Sequence, residues 1–267
     1  AALEAAQLFS SLESLHDPDT ILHLLATGVG RGWRCLEIGG GSGSISRWLA
    51  DCVGPEGHVL ATDIDPRFLA NSGRPNLEVR RHDVGTDPLP ETAFDLIHAR
   101  LVLIHVPQRE ASLERLVSAL KPGGWLVVED YDPIVIDRAF PIENDEHAAT
   151  VLKSLRALWS LMESRGLDMR WASSLYRRFV AAGLVDVAMQ GHIDLRSGGS
   201  PGARLDKANL SQVRDEALRK GLVTPEEMDR TLSLLDDPGF VFASPVMFSA
   251  WGQRPQDATK ISARTIV

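Results

Sequence analysis

The chain has 267 residues, 44% of them hydrophobic, which is enough for one large α/β core or for a core with an appended helical part. A formal charge of −8 and the lack of any Lys/Arg block exclude a basic nucleic-acid-binding face. No apolar run approaches the ~20 residues of a membrane span. The mixed-charge opening Ala1-Ala2-Leu3-Glu4 does not read as a signal peptide, so a cytoplasmic protein with no nucleic-acid or membrane partner is expected. Cys35 and Cys52 lack metal-ligand spacing and read as small core residues of a reducing compartment, and no metal is expected. The basic residues are mostly Arg, with only five Lys, and Ala and Gly are abundant, a bias typical of GC-rich bacterial genomes.

Apolar positions at helical spacing run from Leu3 to Leu15, and Asp17-Pro18-Asp19 predicts a restart into a second helix through Leu25. Trp33 to Ile38 is a short apolar strand that runs into a glycine cluster, and Ile45 to Val53 an amphipathic helix stopped by Gly54-Pro55-Glu56-Gly57. His58 to Asp63 reads as the second strand, Pro66 to Ala70 as a short helix, and Leu77 to Arg81 and Phe94 to Ala99 as further strands. Pro107 to Leu120 predicts a helix and Trp125 to Glu129 a fifth strand. Strands that alternate with helices and are themselves nearly continuously apolar predict a parallel sheet covered on both faces. Beyond Asp130 the pattern changes to long helices at Ile142 to Arg165 and Trp171 to Ala182, then a strand from Val185 to Leu195. Ser197-Gly198-Gly199-Ser200-Pro201-Gly202 leads into a helical insertion with a capping box at Thr224-Pro225-Glu226-Glu227, and Pro245 to Trp251 is the last strand.

A glycine-rich turn between a first strand and its helix lets backbone N–H groups approach a ligand closely. Many cofactors use such a turn. The dinucleotide fingerprint G-x-G-x-x-G fails here in both registers, because its third glycine falls on Ser44 or on Ser46, which argues against a nicotinamide enzyme. Asp63, at the end of the second strand, is placed to accept hydrogen bonds from ribose hydroxyls. Ile64 beside it can flank an adenine ring, and Asp65 reads as the N-cap of the turn at Pro66.

Glu37-Ile38-Gly39-Gly40-Gly41-Ser42-Gly43 resembles the first motif of the class I S-adenosylmethionine (SAM)-dependent methyltransferases, an acid followed by alternating glycines. Arg81-His82-Asp83-Val84, Phe94-Asp95-Leu96-Ile97-His98-Ala99-Arg100 and Leu120-Lys121-Pro122-Gly123-Gly124-Trp125 are similar to later motifs of the same family, in its methyltransferase type 11 (UbiE-like) small-molecule group. The resemblance covers residues 33–130 in order. It implies SAM as cofactor and S-adenosylhomocysteine (SAH) as product. It also implies cofactor contacts from Glu37, Gly39, Gly40, Gly41, Asp63, Ile64, Asp83, Val84, Ala99 and Arg100. The implied fold is a Rossmann-like, doubly wound seven-stranded sheet of order 3-2-1-4-5-7-6, last strand antiparallel, with helical lid insertions. The expected organisation is an N-terminal helical cap at 1–28, a SAM-binding core at 29–196 (131–170 partly lid), a helical insertion at 197–244, the final core strand at 245–255 and a tail at 256–267.

The resemblance further implies methyl transfer to a small organic acceptor in bacterial natural-product or cofactor biosynthesis, by a monomer or homodimer. A SAM-fold protein that binds the cofactor without transferring the methyl group, as a cyclase or regulatory binder, remains the alternative. His98-Ala99-Arg100-Leu101 replaces the N/D-P-P-Y/F stretch of nucleic-acid amino-methyltransferases, neither cysteine suits cytosine C5 chemistry, and Ala99 stands where catechol enzymes need an acid. The acceptor pocket is expected to draw on Tyr131, Phe140, Trp159, Met162, Trp171, Tyr176, Phe240 and Phe242. Candidate bases are His98, His105, Tyr131, Asp132, His147 and His192, with His105 and Tyr131 nominated as catalytic.

Overall fold

The computed structural model describes residues 2–69, 73–133 and 145–256; Ala70, Phe140 and the end of the tail lie outside them. The chain divides into two compact units, one formed by Ala1–Pro18, Tyr131–Arg170 and Gly191–Met247, the other by Asp19–Asp130, Trp171–Gln190 and Phe248–Val267.

The second unit carries the sheet. Its strands are β1 (Arg34–Ile38), β2 (His58–Asp63), β3 (Leu77–Arg81), β4 (Phe94–Arg100), β5 (Leu120–Asp132), β6 (Val185–His192) and β9 (Val246–Gln253), in the order β3-β2-β1-β4-β5-β9-β6. The first five pair in parallel through β2–β3, β1–β2, β1–β4 and β4–β5. β9 runs against β5: Gly123 and Gly124 exchange backbone hydrogen bonds with Arg254, while Ser249 meets Glu129. Since β7 (Leu195–Ser197) and β8 (Val241–Ala243) form a separate antiparallel ribbon, β9 is the seventh strand of this sheet, and the order expected from the sequence is found.

β1 and β4 are almost wholly buried, which explains their apolar runs. Helix α2 (Ser44–Val53) turns Ile45, Leu49, Ala50 and Val53 inward, where they join Leu24, Val29, Cys35, Val59, Leu96 and Val127. Each large aliphatic side chain removed from water there contributes about 1.5–3 kcal/mol. Cys35 is fully buried and Cys52 half-buried. Helices α3 (Arg109–Ala119) and α5 (Trp171–Ala181) complete this unit.

The other unit has its own core. Val151, Leu155, Leu158 and Leu161 of α4 (Asp145–Ser164) meet Leu210 and Val213 of α6 (Pro201–Arg219), Met228 and Leu234 of α7 (Pro225–Leu234), and Phe242. Trp159 and Met162 pack against this cluster, so they belong to its core. Thr224 Oγ1 accepts from the Glu227 amide at 3.2 Å and Glu227 Oε2 accepts from the Thr224 amide at 2.8 Å, the reciprocal cap expected from the sequence.

The structure corrects several local expectations. α1 is one helix, Ala2–Ala26, with Pro18 inside it. Pro18 forfeits one backbone hydrogen bond, but its φ is already helical, and buried His16 and Thr20 are held by partners on either side of it. The predicted strand from Val185 to Leu195 is broken, because Asp194 donates its amide to Ser244 and Leu195 turns away to pair with Ala243. The helix expected to start at Pro107 starts at Arg109, after a 3-10 turn over Leu103–His105. Trp171, expected in the acceptor pocket, is fully buried and donates its indole N–H to Asp130 at 3.0 Å. Burial holds the Asp130 carboxyl up at about 8, against the Trp171 bond that favours its ionised form.

Candidate active site

The loop that leaves β1 is shaped by alternate glycines. Gly39, Gly41 and Gly43 have φ of 66°, 56° and 87°, the left-handed region that side chains avoid. A Cβ on Gly39 would also lie 2.2 Å from Val102 Cγ2. Gly39→Ala is therefore expected to lower the unfolding free energy by about 2–3 kcal/mol, read as a lower urea midpoint with unchanged slope.

Two bonds tie this loop to β2, and a third ties β2 to the end of β1. The Gly40 amide donates to the Thr62 carbonyl at 2.9 Å, the Gly41 amide to Asp63 Oδ2 at 3.1 Å, and Thr62 Oγ1 to the Glu37 carbonyl at 2.9 Å. Asp63 Oδ1 accepts from the Asp65 amide at 2.9 Å, so both of its oxygens are oriented by backbone N–H groups while the residue stays half-exposed. Ile64 beside it is 59% exposed. Asp65 caps the 3-10 turn at Pro66–Phe68 through the Arg67 amide, the capping role expected of it. After β3, Asp83 Oδ1 accepts from the Gly85 amide at 2.8 Å and shapes its own turn. Val84 is buried, and its carbonyl accepts from Ser112 and Arg115.

These features fit the cofactor implied by the motifs. An oriented carboxylate suits a diol, an exposed aliphatic side chain suits a purine face, and a loop of glycines interrupted only by Ser42 opens α2 with no side-chain cap at Gly43.

Behind the loop lies a charged network that sequence reasoning did not assemble. Glu37 of β1 and His98 of β4 are in register, and Glu129 of β5 lies on the same face two residues along. His98 Nδ1 is 2.9 Å from Glu37 Oε2 and its Nε2 is 3.3 Å from Glu129 Oε2. Glu129 also receives Thr20 Oγ1 at 2.5 Å, His23 Nδ1 at 2.8 Å and Ser249 Oγ at 2.7 Å, and Arg100 Nη1 donates to Thr20 Oγ1 at 2.9 Å. Burial opposes charge on His98, but the Glu37 carboxylate and the bonds to both acids prevail and raise its pKa to about 9. Glu129 is held well below the usual carboxylate range: burial works against this, and the bonds from His23 and His98 outweigh it. His23 is raised in the same way, Glu129 overcoming burial. The available signal was ionisable residues, His98 and Glu129, inside otherwise apolar strands. Thr20, His23 and Ser249 carried no local signal.

Of the other nominated residues, Ala99 is fully buried between Ile38 and Val128. His105 is exposed at the end of its 3-10 turn; crowding of its ring by the protein, then the Arg109 charge, lowers its pKa. Tyr131, in the other unit, has its hydroxyl 2.6 Å from His16 Nε2, and Arg196 Nη2 donates to it at 3.2 Å. Burial raises the hydroxyl's pKa against the pull of Arg196. Arg196 is itself paired with Asp206 at 3.0 Å. Asp132 is buried, His192 is 2.7 Å from Asp194, and His147 meets Arg230 at 2.5 Å. Tyr176 is 46% exposed, and Phe240 and Phe242 stack at 5.8 Å.

A methyltransferase domain model matches residues 36–126, the stretch from β1 into β5. The chain is 31% identical over 208 residues to the methyltransferase str2 of Strobilurus tenacellus, covering 77% of this chain and 72% of that protein. It is 33% identical over 113 residues to the ubiquinone/menaquinone biosynthesis C-methyltransferase UbiE of Ectopseudomonas mendocina, covering 39% of this chain and 44% of that one. The chain thus spans nearly three quarters of the first relative's length and under half of the second's. Among solved structures, YcgJ from Bacillus subtilis superposes with a TM-score of 0.59 at 17% identity, covering 91% of this chain and all of that one, a likeness of fold. With the motif loop, the strand order and a relative matched over most of its length, the chain belongs to the class I SAM-dependent methyltransferases.

Proposed function

We propose that the chain transfers the methyl group of SAM to a small organic acceptor in bacterial natural-product or cofactor biosynthesis, acting in the cytoplasm. The observation that carries this reading is the left-handed glycine loop tethered to Asp63, with Ile64 exposed next to it. Gly39, Gly40 and Gly41 give the backbone close approach, and Glu37 anchors the loop from beneath. Asp63 holds the ribose hydroxyls, Ile64 and Val84 flank the adenine with Asp83 at its amino group, and Arg100 ends the strand towards the methionine part, where Ala99, its side chain buried, contributes only backbone. The acidic net charge fits an acceptor that is not a polyanion. Among the described residues no helix is long and apolar enough to cross a membrane. The name of the UbiE relative describes C-methyl transfer in ubiquinone/menaquinone biosynthesis, which supports a small-molecule acceptor.

The bound cofactor supplies an electrophilic methyl group, and the chain's own work is alignment and exclusion of water. His105, neutral at physiological pH because its pKa is lowered, is the group that can take a proton from the acceptor directly, and Tyr131, itself protonated, can do so only by handing its own hydroxyl proton to His16 Nε2 at 2.6 Å. The test is incubation of the purified protein with methyl-labelled SAM and panels of phenols, amines and enolisable carbonyl compounds. Labelled product with at least one panel is expected, and Tyr131→Phe should cut its rate by about 100-fold. SAM binding with no product from any panel would favour the non-transferring alternative.

A further inference from the structure

His98 is wholly buried, so it exchanges no proton with an acceptor, yet both of its ring nitrogens face carboxylates. Stability alone does not explain such an arrangement, because well-packed apolar residues in place of a buried ion pair are often neutral or stabilising. The position of its partners is informative. Glu37 lies two residues before the first left-handed glycine of the loop; the residue is only 3% exposed and its carboxylate is bonded to His98. Glu129, at the other end of the imidazole, collects Thr20 and His23 from α1 and Ser249 from β9. One continuous hydrogen-bonded path therefore runs from the base of the glycine loop, through β4 and β5, to the Asp19–Ala26 part of α1.

We infer that His98 is a positioning residue for cofactor binding: it fixes the Glu37 carboxylate under the glycine loop and couples that loop, through Glu129, to the α1 segment carrying Thr20 and His23. The inference rests on the reading of the loop as the cofactor site. Glutamine at 98 is uncharged and spans one carboxylate rather than two, so the path is cut while a polar side chain of similar reach remains. His98→Gln is expected to weaken SAH binding, measured by calorimetry, about tenfold or more. The loss should largely vanish in a Glu37→Gln background, because the imidazole acts through that carboxylate. In the unmodified protein, SAH should slow backbone hydrogen exchange across residues 19–26, and this measurement stands even if the variant does not fold.

Wild-type affinity in His98→Gln, an equal loss in both backgrounds, or exchange at 19–26 unmoved by SAH overturns the inference. Asp63→Ala separates the two levels. If that variant binds SAH normally, the loop is not the cofactor site and both readings fall. If it loses binding while His98→Gln keeps it, only the coupling falls.

Discussion

Asp63→Ala should nearly abolish the stabilisation that SAH gives this protein. At 100 times its dissociation constant a ligand adds about 2.7 kcal/mol to the unfolding free energy, a rise of about 5–10 °C in melting temperature for a chain of this size. Asp63 offers an ionised acceptor whose two oxygens are already aimed by the Gly41 and Asp65 amides. Hydrogen bonds to a charged group are worth about 1.5–3 kcal/mol each. Losing those to a ribose diol, and the loop tether with them, should weaken SAH by about 100-fold or more. The same ligand concentration would then give only about 0.4 kcal/mol, close to the noise of a thermal-shift assay. A full shift in the variant would refute the assignment of Asp63 to the ribose.

The second large effect is expected at Glu129. Truncation to Ala leaves the His98 imidazolium with one acid and strips Thr20, Ser249 and the partly exposed His23 of an acceptor that is itself buried. Breaking a buried pair in this way costs about 3–5 kcal/mol, a large share of the 5–15 kcal/mol by which domains are stable. Urea unfolding measures it; a loss below about 1 kcal/mol would mean that the network is not holding charge. Its pH dependence has a defined sign. The folded His98 pKa is raised from 6.5 to about 9, so its contribution is complete below pH 6.5 and is lost as pH rises through 9. The size of that loss is about 3 kcal/mol. His23, raised by the same carboxylate, adds in the same direction. Glu129, lowered, contributes above its unfolded value near 4.5 and fails as pH falls through its folded one. Glu37, Glu129, His23 and Arg100 are the charged groups around the imidazole, and the alkaline loss should shrink in His98→Gln.

The strand order, the glycine loop, the Asp65 cap and the reciprocal cap at Thr224 were legible because each is set by local backbone demands: a left-handed φ, an orphan amide, an alternation of apolar segments. What failed needed long-range information. Pro18 signals a helix break, but the buried partners of His16 and Thr20 lie more than a hundred positions away in sequence and carry the helix through it. Trp171 looked like a pocket residue because nothing near it in sequence announces Asp130 as the partner of its indole. The charged network has the same character. In the sequence Glu37 is the acid of the first motif and an implied cofactor contact, and His98 is a candidate base. Only the pairing of β1, β4 and β5 makes them neighbours of Glu129 and takes His98 out of acid–base chemistry.

The alternation of left-handed glycines also governs where this loop can vary. At 39, 41 and 43 the backbone itself excludes a side chain, whereas Gly40 and Ser42 have ordinary φ. At Gly40 the obstacle is the far end of Leu69, 2.7 Å from an added Cβ, and a leucine tip can rotate. Tolerance of the fold should therefore be graded in steps of two along the loop, and diversity introduced to alter ligand preference belongs at 42, since a side chain at 40 would also stand 3.2 Å from the buried Ser46 Oγ and obstruct close approach. A loop of equal length with its glycines displaced by one residue would have the same composition and none of this shape.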